Sequence, residues 1–307
     1  MLFIWKASKM SENVKDKVVQ VFLEMQSIFP FPGYIDNNLN KYITIVQEIA
    51  KKTPLGSNIL SIGAGPCDLE AILSKLGYNV KAIDDLEDHW HLMGQNRDRI
   101  KNFAEQMNVE LIIESSKTSS LKKDYFDVVL LIDAIEHLHN SPRELLNYSI
   151  SSLKTGGLLI AETPNAVSLA HRLKVLFGKS SQKDAEYFFW NVGQYRDHVR
   201  EFTRSELTQI LSYLNLDAIN SRMTNVVVDT VEARTFWKKS IVKMYKLISG
   251  PYPNFRSTIL ISGKKPENWS PTDISLDNFK KRYQHIRNYN LDNDPDDILI
   301  DKMQLDA

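Results

Sequence analysis

The chain has 307 residues, 43% hydrophobic and 25% charged, which allows one large domain with additions. Thirty-eight Lys and Arg balance thirty-eight Asp and Glu, a neutrality that argues against a dedicated nucleic-acid binder. A single cysteine excludes an internal disulfide framework and fits a reducing compartment; with no apolar run of membrane-spanning length, a cytoplasmic protein is expected.

The opening Leu2-Phe-Ile-Trp5 is too short for a signal peptide. The helical pattern begins after Ser11, so the first nine residues read as an unstructured leader and Met10 as a candidate start. Val14, Val18, Val21, Phe22 and Met25 recur at helical spacing, and Phe29-Pro-Phe-Pro-Gly33 breaks the helix. A second helix over 38–51 carries Leu39, Tyr42, Ile43, Val46 and Ile49 on one side. These two helices read equally as a cap over a ligand or as plain packing against a sheet.

Asn58 to Ile62 is an apolar run that stops at Gly63-Ala-Gly65, and Asp68 to Leu76 is amphipathic. A further apolar run, Val80 to Ile83, ends in Asp84-Asp85. Strand, glycine turn, helix and acid-tipped strand make a nucleoside-binding βαβ unit, the glycines letting backbone pass close to a ligand and the carboxylate accepting from ribose hydroxyls. A dinucleotide site wants a third small residue where Asp68 stands, and a carboxylate there repels a pyrophosphate; no Walker lysine follows either. The expected ligand has a ribose and no phosphate at this turn, which S-adenosylmethionine satisfies.

A helix over about 93–107 and a strand over 109–114 follow. Phe126 to Ile132 reads as a buried strand running into Asp133-Ala-Ile-Glu-His-Leu-His139. Ser141-Pro-Arg-Glu144 starts a helix, Gly156-Gly157 ends it, and a buried strand runs to Glu162. The chain here resembles the class I S-adenosylmethionine-dependent methyltransferases, in particular the branch that includes ubiquinone-biosynthesis O-methyltransferases and bacterial glycan and small-molecule methyltransferases. Leu60-Ser-Ile-Gly-Ala-Gly-Pro66, Ala82-Ile-Asp84, Phe126-Asp-Val-Val129, Glu136-His-Leu138 and Gly156-Gly-Leu-Leu159 carry the resemblance, over roughly residues 55–265. It implies a Rossmann-like α/β fold with a mostly parallel seven-stranded sheet. Two departures stand out: Ser61 occupies a position where the family has an acid, and Cys67 replaces a third glycine.

After a long excursion over 165–200, Thr203-Arg-Ser-Glu206 is a capping box opening a helix. Strands near 216–223 and 257–262 would complete the sheet, the last antiparallel, with an inserted helix over 231–252. Expected boundaries are a leader and helical cap over 1–53, the methyltransferase domain over 54–264 and a polar tail over 265–307.

Ligands of such sheets bind at the carboxyl ends of the strands, which places Gly63, Asp84, Glu114-Ser115 and Asp133 around one cleft. Cofactor contacts are therefore expected from Ser61, Gly63, Ala64, Gly65, Asp84, Asp85, Ser115 and Asp133. His137 and His198 are the candidate bases for a hydroxyl acceptor, with His139 turned to solvent. Arg200, Trp190 and Tyr195 are candidate acceptor contacts, through a planar fork and an aromatic lid, while Arg200 reads equally as a surface partner of Glu201 or Glu206 and the aromatic residues as the buried face of a short helix. His89-Trp-His91 lacks further ligands at metal spacing, so no metal is expected; Trp90 equally packs over adenine. The expected function is O-methylation of a small-molecule or glycan hydroxyl. N-methylation and a non-catalytic nucleoside-binding scaffold stay open, as does a homodimer.

Overall fold

The computed structural model describes residues 2–114, 121–229 and 236–273, together with 275, 278–279 and 281–282. Residues Met1–Ser270 form one unit and Pro271–Ala307 a second.

Alternate residues of the central strands face opposite sides of the sheet, and this alternation builds two cores. The strands are β1 (Asn58–Ile62), β2 (Asn79–Asp84), β3 (Glu110–Ile113), β4 (Phe126–Ile132), β5 (Leu153–Pro164), β6 (Asp217–Thr224) and β7 (Thr258–Lys264), in the order β3-β2-β1-β4-β5-β7-β6. β3, β2, β1, β4 and β5 are mutually parallel, with Ile59 in register with both Val80 and Val128. β7 runs antiparallel between β5 and β6. The order reverses between β1 and β4, so the chain leaves these two strands in opposite directions and opens a crevice at their carboxyl ends.

On one face, Ile59, Val128 and Ile160 meet α1 (Leu2–Ile28), α2 (Leu39–Ala50) and α3 (Asp68–Lys75) through Val18, Phe22, Tyr42, Ile45 and Ile72. α4 (His89–Leu92) and α5 (Asn96–Gln106) follow β2, and Phe103 of α5 joins the same core. On the other face, Leu60, Val129 and Leu159 meet Leu146 and Ile150 of α6 (Arg143–Ser152) and Leu207 and Leu211 of α9 (Arg204–Tyr213). The expected capping box is present, Thr203 and Glu206 each bonding the other's backbone N–H. The excursion holds α7 (Leu169–Leu176) and α8 (Ala185–Phe189); α10 (Val226–Asp229) and α11 (Phe236–Ser249) lie between β6 and β7.

Two boundaries differ from the sequence reading. The leader expected to be unstructured is helical, α1 running from Leu2, because no proline or glycine interrupts the chain before Pro30. The polar tail begins later than residue 265. Lys265 Nζ donates to the carbonyl of Leu153 at 2.7 Å and to Asp124 at 2.8 Å, and the Trp269 indole N–H donates to the carbonyl of Leu214 at 2.8 Å. These bonds hold residues to 270 on the sheet unit. In the second unit, Ser275 bonds Asp273 through its backbone N–H and its hydroxyl. Of the inserted helix expected over 231–252, residues 231–235 lie outside the described range and Phe236–Ser249 is helical.

Candidate functional site

A cleft of about 490 Å³ lies at the carboxyl ends of β1, β2, β4 and β5. The β1–α3 turn makes its floor. Gly63 has φ +75° and donates to the carbonyl of Ile83 at 2.9 Å. A Cβ there would stand 2.9 Å from that of Ala134, so only glycine lets the turn pass this close to the end of β4. Asp84 ends β2 and accepts from the N–H groups of Gly65 (2.8 Å) and Leu86 (2.7 Å), which fixes its carboxylate over the turn. Burial raises the Asp84 pKa against the lowering effect of these two bonds.

Asp85 is held from the excursion. Arg196 donates to Asp85 at 2.8 Å and to Glu87 at 2.7 Å, and its backbone carbonyl accepts from His137 Nδ1 at 3.0 Å. The cap closes the opposite wall. Lys41 of α2 pairs with Asp133 and lies 3.7 Å from Glu162 at the end of β5. Tyr42 donates to Asp68, the residue expected to exclude a pyrophosphate. Tyr34 lies tilted against Trp90, ring centroids 5.4 Å apart, and Phe31 meets Trp90 edge-on at 5.1 Å. The segment after the Phe-Pro-Phe-Pro break and α2 thus bring Tyr34, Asn38, Lys41 and Tyr42 to the cleft, while Val18, Phe22 and Met25 of α1 pack in the sheet core.

Among the described residues, eight carboxyl groups line this cleft against two permanent cations, Lys41 and Arg196. That balance disfavours a phosphate and favours a ligand carrying positive charge. Glu70 and Glu162 are buried, and burial pushes the Glu70 carboxyl up to about 8 and that of Glu162 well above the carboxylate range.

Beside the cleft, Glu136, His137 and His198 bring a carboxylate oxygen and a ring nitrogen of each histidine within 4.8 Å of one another. Such a group can share a proton or a divalent cation, an arrangement the sequence reading did not anticipate. Both imidazoles are oriented from outside: His137 Nδ1 bonds the carbonyl of Arg196, and His198 Nδ1 bonds Glu201 at 2.9 Å. With Nδ1 of His137 donating, its Nε2 is left as the basic atom. Burial, then the nearby His198, lowers the His137 pKa. Burial works against charge on His198 too, but the bond to Glu201 and the charge of Glu136 raise its pKa. Glu136 is pushed up to about 7 by burial and by Asp133. The cluster thus holds a neutral base next to groups that readily keep a proton.

Of the residues expected at the cofactor, Gly63, Ala64, Gly65, Asp84, Asp85 and Asp133 line the cleft. Ser115 lies outside the described residues. Ser61 does not line the cleft: it is buried and donates to Glu70 at 2.5 Å. A carboxylate thus approaches the family's usual position from α3 instead of β1. His137 lines the cleft, while His198 stands behind it as its neighbour, ring centroids 5.1 Å apart. His139, expected to face solvent, lines the rim and bonds the carbonyl of Tyr195 at 2.6 Å.

The three expected acceptor contacts lie away from this cleft. Arg200 is exposed and donates to Glu206 at 3.0 Å, so its fork is engaged on the surface. Trp190 is exposed and meets Phe189 edge-on, and the Tyr195 ring lies against Phe188. None of these side chains lines the cleft. Sequence reasoning missed Lys41, Arg196, Glu162 and the Glu136 carboxylate. Glu162 carried a signal, an acid closing an apolar strand; Lys41 and Arg196 carried none, because long-range folding alone brings them in.

A family model described as a methyltransferase domain matches residues 34–221. The chain is 27% identical over 184 residues to the ubiquinone biosynthesis O-methyltransferase of Rickettsia akari (strain Hartford), covering 59% of this chain and 66% of that protein. It is 27% identical over 161 residues to the same-named protein of Rickettsia bellii (strain OSU 85-389), covering 52% and 61%. The match spans less than two thirds of these relatives' length. Among solved structures, it is similar to Haemonchus contortus phosphoethanolamine N-methyltransferase 2 in complex with phosphomonomethylethanolamine and S-adenosylhomocysteine. That likeness has a TM-score of 0.51 at 15% identity, over 81% of this chain and 58% of the other, and it concerns the fold.

Proposed function

The chain belongs to the methyltransferase-domain family, and we propose that it transfers a methyl group from S-adenosylmethionine to a hydroxyl of a small-molecule acceptor. The residues present fit the cofactor. Gly63, Ala64 and Gly65 offer backbone to it, Asp84 accepts from the ribose, and the acidic cleft suits a ligand with a sulfonium and an ammonium and no phosphate. Trp90 and Tyr34 on the cleft wall offer aromatic faces of the kind that stack on a base.

When bound, S-adenosylmethionine supplies an electrophilic methyl that passes to the acceptor oxygen as its carbon–sulfur bond breaks and leaves a thioether. Lys41, Asp133 and the cap exclude water and hold the acceptor side of the cleft. His137 Nε2 takes the hydroxyl proton. The observation that carries this reading is His137 on the cleft wall, Nδ1 committed to a carbonyl and the other nitrogen bare. The aromatic residues offered for stacking on a sugar face lie off this cleft, and nothing lining it selects a glycan over a small-molecule hydroxyl.

A second reading rests on the same cluster. Glu136, His137 and His198 would hold a divalent cation, and bound there it would supply Lewis acidity toward the acceptor hydroxyl. Incubation with S-adenosylmethionine and a panel of phenols and aliphatic alcohols, read as S-adenosylhomocysteine formed, tests the proposal. Turnover insensitive to chelators supports the base; turnover lost to a chelator and restored by a cation supports the second reading. Turnover with amines alone would reject both.

A further inference from the structure

Two neighbouring helices concentrate positive charge and exposed apolar side chains in a chain of zero net charge. Residues 169–179 carry Arg172, Lys174 and Lys179 and no acid, and α11 carries Lys238, Lys239, Lys243 and Lys246 and no acid. The helices meet through Tyr245, which packs on Ser168–Ala170 and donates to the carbonyl of Phe255 at 2.9 Å. The Arg172 guanidinium lies over the Phe255 ring at 5.3 Å.

α11 is anchored by a narrow stripe, Val242, Tyr245 and Ser249, one helical turn or two apart. Its other apolar residues, Ile241, Met244 and Ile248, recur at helical spacing and are exposed, with Leu247 77% exposed. α7 ends in the same way, Val175 and Leu176 leading to Phe177, which is 75% exposed. An apolar stripe of this spacing is normally buried against something.

The charge decides what covers it. A second copy docked about a two-fold axis would set these cations against their own equivalents. A nucleic acid would meet the lysines and leave the apolar stripe in water. An anionic lipid surface satisfies both: the apolar side chains enter the headgroup–acyl boundary while lysine stems reach back to the headgroups. No helix among the described residues is long and apolar enough to cross a membrane, so the helices would lie in the interface plane.

We propose that α7 and α11 form a docking face for an anionic lipid bilayer. This face is independent of the methyl-transfer reading.

The test is co-sedimentation of the full chain with vesicles of phosphatidylcholine alone and with phosphatidylglycerol added. The proposal expects binding to the anionic vesicles that weakens with salt, and little to the neutral ones. Joint Lys239→Gln and Lys243→Gln should weaken binding by about thirty-fold. Joint Ile241→Ser and Leu247→Ser should remove it with an unchanged unfolding midpoint. No binding to anionic vesicles at low salt would overturn the proposal, as would equal binding by the variants. So would a dimer in light scattering that the apolar pair of substitutions converts to monomer without any vesicle binding, since a second copy would then be the occupant.

Discussion

Lys41 of the cap forms an ion pair with Asp133, the residue that ends β4 in a left-handed conformation at φ 48°. Burial opposes charge on Lys41, but Asp133 and Glu162 outweigh it and hold the ammonium well above its usual pKa. One side chain therefore ties the cap to the tips of two strands and neutralises the acceptor side of the cleft. Replacing it strands two carboxylates. Lys41→Met should lower the unfolding free energy by about 2–3 kcal/mol, below the loss for a fully buried pair because Asp133 is 42% exposed. Denaturant titration checks this, and adding Asp133→Asn should recover part of the loss.

Glu70 gives a pH signature. Its folded pKa is raised from the usual 4.5 to about 8, by burial first and then by Asp68. Between those two values the folded state keeps a proton that the unfolded state has released, so this group's contribution to stability falls as pH rises and is flat above about 8. Glu70→Gln removes that slope. Unfolding midpoints should favour the variant most at pH 8, with the difference shrinking toward pH 4.5.

The proposed base makes a separate demand on the kinetics. Burial holds His137 neutral near pH 7, so kcat should rise with pH through a midpoint below 6.5 and be flat at neutrality. His137→Asn keeps a donor near the Arg196 carbonyl and loses the basic nitrogen. It should cost about 100-fold or more in kcat with little change in affinity for S-adenosylhomocysteine. A parallel loss of affinity would mean that the histidine only shapes the cleft.

The sheet was legible because its signals are local. Apolar runs ending at Gly63, Asp84 and Asp133 mark parallel strands, and the fold puts these ends together as expected. The acceptor side was not legible. Arg200 read equally as a ligand clamp and as a surface partner of Glu201 or Glu206, and the pair with Glu206 is the one that forms. Arg196, four residues earlier, reaches Asp85 across 111 positions, which no local spacing encodes. Ser61 looked like a lost carboxylate, whereas Glu70 supplies one from the next helix, visible only once β1 and α3 are packed.

Cys67 occupies the family's third glycine position with φ +63° and is fully buried. A branched Cβ fits that left-handed conformation poorly, so Cys67→Val should destabilise the chain by about 2 kcal/mol in denaturant unfolding. Burial also pushes its thiol well up, and alkylation of the folded chain should be slow.

The central claim is that Asp84 and the Gly63–Gly65 turn hold the ribose of a sulfonium nucleoside. Isothermal titration with S-adenosylhomocysteine, on the parent chain and on Asp84→Ala, tests it most directly. The account expects saturable one-to-one binding by the parent and an affinity about 100-fold weaker in the variant, the loss of two charge-assisted hydrogen bonds. Absence of binding by the parent, or equal affinity in a variant that remains folded, would contradict it.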